Sequence, residues 1–395
     1  MHINRSFAFA APLLVSLLLC LCHGSAFADP TFRLTDMGIL SGYFDSVGTD
    51  INTFGQAVGN AASNTNLPVH SFTFQNEVRT DIGTLNGLPV QTQRFAINDS
   101  GYVVGTSNNL AFLYKGGAPQ SLGTLGGARS NAWDINNAST VVGGAELGGP
   151  AGTFHAFVYD TAMHDLGTFS TFSPNLQGSS VANGINNSGQ VVGYSFGGVG
   201  FYHAFLHSGT GPLSNADDLG ALPGSVSYDN SYASAINSVG QVVGAGTVSG
   251  TAFEHAFRWD PTTPNGSTGT MIDLGTPVGF TTSRAQDINT SGQIIGELGA
   301  ANLFTTPPFL YDNGQYFDLT DNVSGWAITS VRGINDSGQI VGTAIAGGGI
   351  KHAVILTPIT PEPGLLAMSG ALMAAILWGG LRKRSRKLLA LRVRR

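Results

Sequence analysis

The sequence predicts an all-β protein, a seven-bladed β-propeller whose ring is closed by its N-terminal strand. Three short phrases recur seven times in the same order along the chain. Successive copies of the first phrase lie 38 to 52 residues apart, and the repeat units at the two ends of the region are incomplete. Periods of this length, with several short strands in each, are typical of propeller blades rather than of a short-period solenoid.

The first phrase is an Ile-Asn pair, a short turn and a strand similar to Gln-Val-Val-Gly. Asn tolerates turn dihedrals, and Gly supplies the positive φ that closes a tight hairpin between β-branched residues. Ser139 stands where the other six copies have Gly, so we expect a strained turn or another turn type there. The pairs begin at Ile51, Ile97, Ile135, Ile185, Ile236, Ile288 and Ile334.

The second and third phrases read His-Ala-Phe-Leu-Tyr and Asp-Leu-Gly-Thr-Leu in their fullest forms. The second alternates small and large residues, as a strand does between two different neighbours. Residues 179–183 and their counterparts before each Ile-Asn pair are predicted as a further strand, which gives four strands per unit and therefore one blade. The second phrase begins at His70, Leu110, His155, His203, His255, Pro308 and His352, and the third at Asp36, Asp81, Ser121, Asp165, Asp218, Asp273 and Asp318.

The blade register is split between the two ends of the repeat region. The region opens with an orphan third phrase at Asp36–Leu40 and closes with an orphan second phrase at Lys351–Leu356. A blade shared between the two ends would remove the exposed edge of an open array. The split therefore predicts that the strand Phe32–Leu40 completes the last blade.

Residues 1–28 have the pattern of a secretory signal peptide. Arg5 precedes an apolar core from Ala10 to Cys22, and Ala26 and Ala28 form a small-x-small cleavage site before Asp29. The chain's two cysteines lie within this segment. We therefore expect an exported protein without disulfides, stabilised by packing and strand pairing alone.

Residues 359–395 have three features in a fixed order. Pro361, Glu362 and Pro363 are followed by an uncharged stretch, Leu365–Leu381, and then by an arginine-rich end. Seventeen residues form a helix about 25 Å long, enough to span a thin bilayer, and the basic end would face the cytoplasm. The alternative is an ordinary tail anchor.

This order of features resembles the PEP-CTERM sorting signal of Gram-negative bacteria. The resemblance implies transient anchoring in the inner membrane, processing by an exosortase-type enzyme, and transfer to the cell surface or extracellular matrix. Between the two signals, residues 29–358 resemble the HAF family of extracellular repeats. Their His-Ala-Phe string is intact at His155, His203 and His255. That resemblance identifies a repeat and no reaction.

The charge of the body argues against a nucleic-acid partner. The signal and tail segments hold nine of the 18 basic residues and one of the 24 acidic ones. The nine basic and 23 acidic residues that remain give the body a formal charge of −14, with no basic stripe.

The repeated histidines and aspartates are candidate metal ligands with a structural alternative. Ligands must converge within about 2.2 Å of one ion, whereas equivalent positions in seven blades are far apart. We therefore predict that each His bonds a neighbouring backbone and that each Asp caps a turn or the end of a strand ladder, with no metal and no cofactor. No Asp-x-Asp-x-Asp-Gly calcium loop is present.

One string imitates a nucleophile elbow, Gly193–Gly197 with Ser195 at its centre. Its strand–turn–strand context contradicts a strand–turn–helix elbow, so the sequence predicts no catalytic residue. Charged residues that differ between units are better candidates for function than the repeated ones. They include Arg94, Arg129, Glu146, Arg258, Arg284 and Glu297.

Three functional hypotheses follow. The first is a non-enzymatic surface or matrix protein that binds exopolysaccharide or a cell-surface glycan in a biofilm. Aromatic rings would stack on sugar faces there, with Trp133, Tyr228, Trp259 and Trp326 as candidates. The second is an extracellular glycan lyase or hydrolase that uses the axial cleft. The third is an adhesive or envelope spacer without a small ligand.

Overall fold

A computed structural model describes residues 29–62, 69–83, 95–149, 152–169, 178–198, 201–224, 229–300 and 306–359. The chain divides into two compact units, Met1–Pro30 and Thr31–Arg395, and the repeats lie in the second. The predicted cleavage site (Ala26, Ala28), the sorting motif Pro361–Pro363 and the predicted helix Leu365–Leu381 fall outside the described residues. Within the described ranges, no helix is long and apolar enough to cross a membrane.

The second unit is a seven-bladed β-propeller, as the repeats predicted. Its strands form seven antiparallel sheets of four strands each. Blades 1 to 3 comprise β2 (Asp45–Ile51), β3 (Ala57–Ala62), β4 (His70–Gln75) and β5 (Val78–Gly83); β6 (Ala96–Ile97), β7 (Val103–Ser107), β8 (Leu110–Tyr114) and β9 (Gln120–Gly123); and β10 (Gly126–Ile135), β11 (Val141–Leu147), β12 (Phe154–Tyr159) and β13 (Met163–Asp165).

The remaining four blades repeat this order. Blade 4 adds a three-residue 3-10 helix, Asn215–Asp217, before its outer strand. Blades 4 to 7 comprise β14 (Ser180–Ile185), β15 (Gln190–Gly198), β16 (Phe201–Ser208) and β17 (Asp218–Gly220); β18 (Ser231–Ile236), β19 (Val242–Thr247), β20 (Glu254–Pro261) and β21 (Gly269–Gly275); β22 (Thr282–Ile288), β23 (Ile294–Gly299), β24 (Pro308–Asp312) and β25 (Gln315–Asp318); and β26 (Trp326–Ile334), β27 (Ile340–Ala346), β28 (Lys351–Pro358) and β1 (Phe32–Gly38).

The N-terminal strand closes the ring, as predicted. β1 pairs with β28 in the order β1-β28-β27-β26, with Phe32 opposite Pro358. The backbone N–H of Ile359 donates to the Thr31 carbonyl at 2.8 Å and extends this pairing by one bond. The strand ends at Gly38, two residues before the expected Leu40, because the chain turns there with a φ of +72°.

The hydrophobic core lies between neighbouring blades. The phenylalanine of the second phrase is almost fully buried in six blades, at Phe72, Phe112, Phe157, Phe205, Phe257 and Phe309. The glycine of Val-Val-Gly lets the strands approach closely. A Cβ at Gly193 would lie 1.9 Å from the Val181 carbonyl oxygen, so no other residue fits there without displacing the inner strand.

A repeated serine joins adjacent blades at the end where the inner strand begins. Ser231 Oγ of blade 5 accepts the Ala204 N–H of blade 4 at 2.9 Å and donates to the Gly220 carbonyl at 2.5 Å. Ser46 makes the same two bonds from blade 1 to blade 7, to Ala353 and Gly38. These bonds use the Ala of His-Ala-Phe and the Gly of Asp-Leu-Gly.

The strand directions sort the connections onto two faces of the propeller. Each inner strand runs toward its Ile-Asn turn, and the hairpin between the third and fourth strands lies at the same end. We call this end the Asn face. The connections between second and third strands and those between blades leave from the opposite end, which we call the loop face.

Candidate axial binding site

The seven Ile-Asn asparagines form a closed hydrogen-bonded ring around the axis. Each Nδ2 donates to the backbone carbonyl of the next asparagine, at 3.0 to 3.2 Å, and Asn335 of blade 7 donates to Asn52 of blade 1 at 3.0 Å. Each Oδ1 accepts two hydrogen bonds from its own turn. In six blades both donors are N–H groups, as those of Ser188 and Gln190 at Asn186, and at Asn289 they are the Ser291 hydroxyl and the Gln293 N–H. The repeated asparagine therefore closes its turn and joins its blade to the next.

The turn with Ser139 has the same hydrogen bonds as its counterparts. The Ser139 N–H donates to the Asn136 carbonyl at 2.9 Å, as Gly189 donates to Asn186 at 3.0 Å. Ser139 adopts a φ of +67°, a conformation that L-residues with a Cβ rarely adopt. Of the two expectations, the strained turn is correct and the different turn type is wrong.

The residues two positions before each Ile-Asn pair form a second ring, nearer the loop face. All seven line one axial cavity, one from each blade, and they differ in chemistry from blade to blade. The space they enclose measures about 520 Å³ when the solvent at its openings is included. We call these residues the variable ring: Thr49, Phe95, Trp133, Asn183, Ser234, Gln286 and Arg332.

Three carboxylates lie between the variable ring and the asparagine ring. Asp50, Asp134 and Asp287 line the same cavity, and each accepts one N–H of its own blade and one of the next. At Asp287 these donors are Ile288 and Ile334, both at 2.8 Å. The carboxylates thus join blades 1 to 2, 3 to 4 and 6 to 7.

The surroundings of Asp287 favour its protonated form. Burial among the inner strands raises the pKa of its carboxyl to about 8, and the charges of Asp50 and Asp134 contribute to the rise. The two backbone N–H groups oppose it, because they stabilise the ionised form. At neutral pH the Asp287 carboxyl therefore keeps its proton in the axial cavity, beside Asp50 and Asp134.

The repeated histidines contact carboxylates, so our expectation of backbone partners was wrong. The Nδ1 atoms of His70, His155, His203, His255 and His352 lie 2.8 to 3.1 Å from the Asp of the third phrase. Each of these aspartates also accepts the N–H two residues on, as Asp218 does from Gly220 at 2.7 Å, which confirms the predicted turn cap. Blade 2 lacks both partners, and there Ser121 Oγ caps Gly123 at 3.2 Å.

These histidine–aspartate pairs lie one to a blade, on the third and fourth strands, and do not converge. Within the described residues, no group of three or more His, Cys, Asp or Glu side chains is arranged to hold a metal ion. Ser195 is likewise fully buried in β15, where its Oγ accepts the Phe169 N–H at 3.0 Å. It lies on a strand, opposite His203 in the register, and not on an elbow.

The structure separates the four aromatic candidates. Trp133 lies in the variable ring. Trp259 is 4% exposed in the core between blades 4 and 5, which excludes it from contact with a glycan. Trp326 packs against the core of blade 7 and edge-on to His352. Tyr228 lies outside the described residues.

The charged candidates form ion pairs near the loop face or along strands. Arg129 holds the pKa of Glu146 down at about 2, aided by the Gly152 N–H. Arg284 pairs with Glu254, and Arg258 with Asp260. Glu297 lies 3.7 Å from Arg332 and so joins this group to the variable ring. Arg94 lies outside the described residues.

Six of the seven residues of the variable ring, all except Trp133, were not predicted from the sequence. The sequence did contain a signal for this ring, because the position two residues before each Ile-Asn pair holds a different residue type in all seven copies. In a propeller the inner strands surround the axis, so a variable position on every inner strand converges on one place.

No family model and no curated protein matches the chain. Among solved structures, prolyl endopeptidases align at 13% identity and a TM-score of 0.48, over 81% of this chain and 51% of theirs, so the chain spans about half their length. A gluconolactonase from Xanthomonas campestris aligns at 10% identity and a TM-score of 0.39, over 85% and 93% of the two chains. A chain of the mitotic checkpoint complex aligns at 13% and 0.45, over 90% and 99%. Structural similarity at this level says nothing about the function of this chain.

Proposed function

We propose that this is an exported, non-enzymatic surface or matrix protein that binds a glycan at the variable ring. One observation carries the proposal. The repeated residues join or close the blades, whereas the one inner-strand position that varies in every blade lines the axial cavity. A repeat that keeps the residues bonding neighbouring blades, and varies the residue that faces the axial cavity, is suited to ligand recognition.

The chemistry of the ring suits a sugar. Trp133 offers an aromatic face that stacks on the C–H face of a pyranose, whereas Phe95, 2% exposed, packs in the core between blades 1 and 2. Asn183 and Gln286 offer amides, and Arg332 offers a guanidinium whose side chain is 34% exposed. Asn183 donates through Nδ2 to the Ala233 carbonyl at 2.8 Å, which orients its Oδ1 as an acceptor.

A glycan array with the purified body, residues 29–359, tests this function. For a glycan that binds, Trp133→Ala should weaken affinity by about tenfold or more, since loss of a central aromatic contact costs about 2 kcal/mol. Phe54→Ala is the matched control, because Phe54 is 72% exposed on the Asn face, away from the variable ring. A uniformly blank array, or equal affinity of Trp133→Ala and the parent, would overturn the glycan proposal and favour the spacer.

Export and sorting are part of the same proposal and rest on the two terminal signals. We expect cleavage after Ala28 and processing near Pro361, Glu362 and Pro363 by an exosortase-type enzyme. Mass spectrometry of the mature protein checks both points. A peptide that runs intact through Pro363 to Leu381 in the mature protein would contradict processing and indicate a permanent anchor.

A glycan lyase or hydrolase is the second candidate, and Asp287 is the observation that favours it. A protonated acid beside two further carboxylates in one cavity is a combination that glycosidases use. Against it, both oxygens of each carboxylate are engaged by backbone N–H groups that join blades. Release of reducing or unsaturated ends by the parent but not by Asp287→Asn would favour the enzyme.

A further inference from the structure

Both ends of the described propeller leave from the Asn face. β28 is a third strand and runs toward the Asn face, where it ends at Pro358. β1 is antiparallel to it and so begins on the same face, at Phe32. The bond from Ile359 N–H to the Thr31 carbonyl, 2.8 Å, holds the two chain ends side by side at that point.

The stretch between the propeller and the apolar segment is short. Residues 360–364 separate Ile359 from Leu365 and include two prolines. Five residues span at most about 18 Å when fully extended. A folded body of about 330 residues has a radius of gyration of about 20 Å, so the tether is shorter than the body is wide.

We infer that, while the tail is attached, the propeller turns its Asn face toward the membrane and its loop face away from it. This rests on the proposed sorting role of the tail. The variable ring lies on the loop-face side of the three axial carboxylates, so the candidate glycan site faces outward. The partner that this surface fits is a glycan chain approaching from the matrix or from a neighbouring cell.

The two faces differ in a way that agrees with this orientation. The Asn face is made of seven near-identical turns joined by one ring of hydrogen bonds. The loop face carries connections that differ from blade to blade, and ion pairs such as Arg129–Glu146 and Arg284–Glu254 lie at the strand ends next to it. Variable loops on a constant scaffold are where binding surfaces are usually found.

The test uses single cysteines, because both native cysteines lie in the predicted signal peptide. Ser41→Cys is on the loop face, after β1, and Ser337→Cys is in the Asn-face turn of blade 7. Both serines are exposed, and both lie close to the closure of the ring. The full chain is expressed in a host without an exosortase-type enzyme, and spheroplasts are treated with a bulky PEG-maleimide that does not cross membranes.

We expect the Ser41→Cys protein to react at least about fivefold faster than the Ser337→Cys protein in the membrane-bound form, because the tether holds the Asn face within about 18 Å of the bilayer. In the tail-free body, residues 29–359, both variants should react at similar rates. Equal rates in spheroplasts, or faster reaction of Ser337→Cys, would overturn the inference without touching glycan binding. Recovery of the full chain outside the membrane fraction would overturn it together with the proposed anchoring, and the glycan array would still decide the ligand.

Discussion

At the scale of single residues, Asp287 both bonds two neighbouring blades and makes the stability of the fold depend on pH. Its carboxyl bonds blade 6 to blade 7, yet burial and two neighbouring acids raise its pKa to about 8. The folded state therefore holds a proton that the unfolded chain, with an ordinary Asp pKa, releases near pH 4. Between those two values the folded state binds more protons, so its stability falls as pH rises.

This linkage predicts that the free energy of unfolding declines from about pH 4 to pH 8, by at most about 1.4 kcal/mol per pH unit. Asp287→Asn should remove most of the slope, although its amide Nδ2 will face a backbone N–H and lower stability by about 1–3 kcal/mol near pH 4, a deficit that shrinks as pH rises because only the parent then loses stability. Urea unfolding at several pH values measures both effects. Asp321→Asn, at an exposed position, is the control; a slope unchanged in Asp287→Asn would contradict the assignment.

Ser139 gives a second residue-scale prediction. Its φ of +67° costs about 1 kcal/mol relative to glycine, so Ser139→Gly should stabilise the protein by up to about that amount. Gly189→Ser is the reverse change in the same turn of blade 4, where a Cβ would meet no atom within 4 Å. It should destabilise the protein through backbone conformation alone. Thermal unfolding of both variants checks the prediction; shifts of the same sign would refute it.

At the scale of the element, the second and third phrases act as one unit. His and Asp occur together in five blades, and blade 2, with Leu110 and Ser121, has neither. Blade 6 keeps Asp318 without a His, and there the carboxylate still caps the Thr320 N–H at 2.8 Å. The Asp therefore caps its turn with or without a histidine, and the His adds a side-chain contact between the third and fourth strands.

Grafting the pair into blade 2 tests this reading. Leu110→His and Ser121→Asp should couple favourably, by about 0.5–1 kcal/mol, as partly exposed ion pairs do. A double-mutant cycle by chemical denaturation measures the coupling, with a cycle at His155 and Asp165 as the native reference. Strict additivity in blade 2 alongside coupling at the native pair would show that the register of blade 2 does not allow the contact.

Much of the element scale could be predicted from sequence, and the reasons are local. Turn chemistry at Ile-Asn and alternation in His-Ala-Phe depend on neighbours a few residues away. The partner of each His could not be predicted, because it depends on the register between two strands, with Asp273 18 residues from His255. The variable ring could not be predicted for the same reason, because Trp133 and Arg332 are brought together only by closure of the propeller.

At the scale of the whole molecule, closure depends on one strand. β1 contributes Met37, fully buried, and Phe32, 6% exposed, to the cores on either side of blade 7. The split register in the sequence predicted this pairing because only one arrangement leaves no incomplete blade. The predicted boundary was two residues too long, since the turn at Gly38 ends the strand.

Deleting residues 29–38 should therefore leave β28 with an unpaired edge and open the cores beside blade 7. We expect loss of the cooperative unfolding transition and self-association through the exposed strand. Analytical ultracentrifugation and thermal unfolding measure these effects, and a body lacking only Asp29 is the control. A monomeric, cooperatively unfolding deletion variant would show that the ring closes without β1.

The asparagine ring also has a direction. Every blade presents a side-chain donor to the blade that follows and a backbone acceptor to the blade before it, and these two ends are alike in all seven. With respect to this ring the seven blades are equivalent, although Asp50, Asp134 and Asp287 add a further bond at three of the blade boundaries. Recombination between repeat units could therefore permute the residues that line the axial cavity without disturbing the asparagine ring, which offers such a protein a short evolutionary route from one ligand to another.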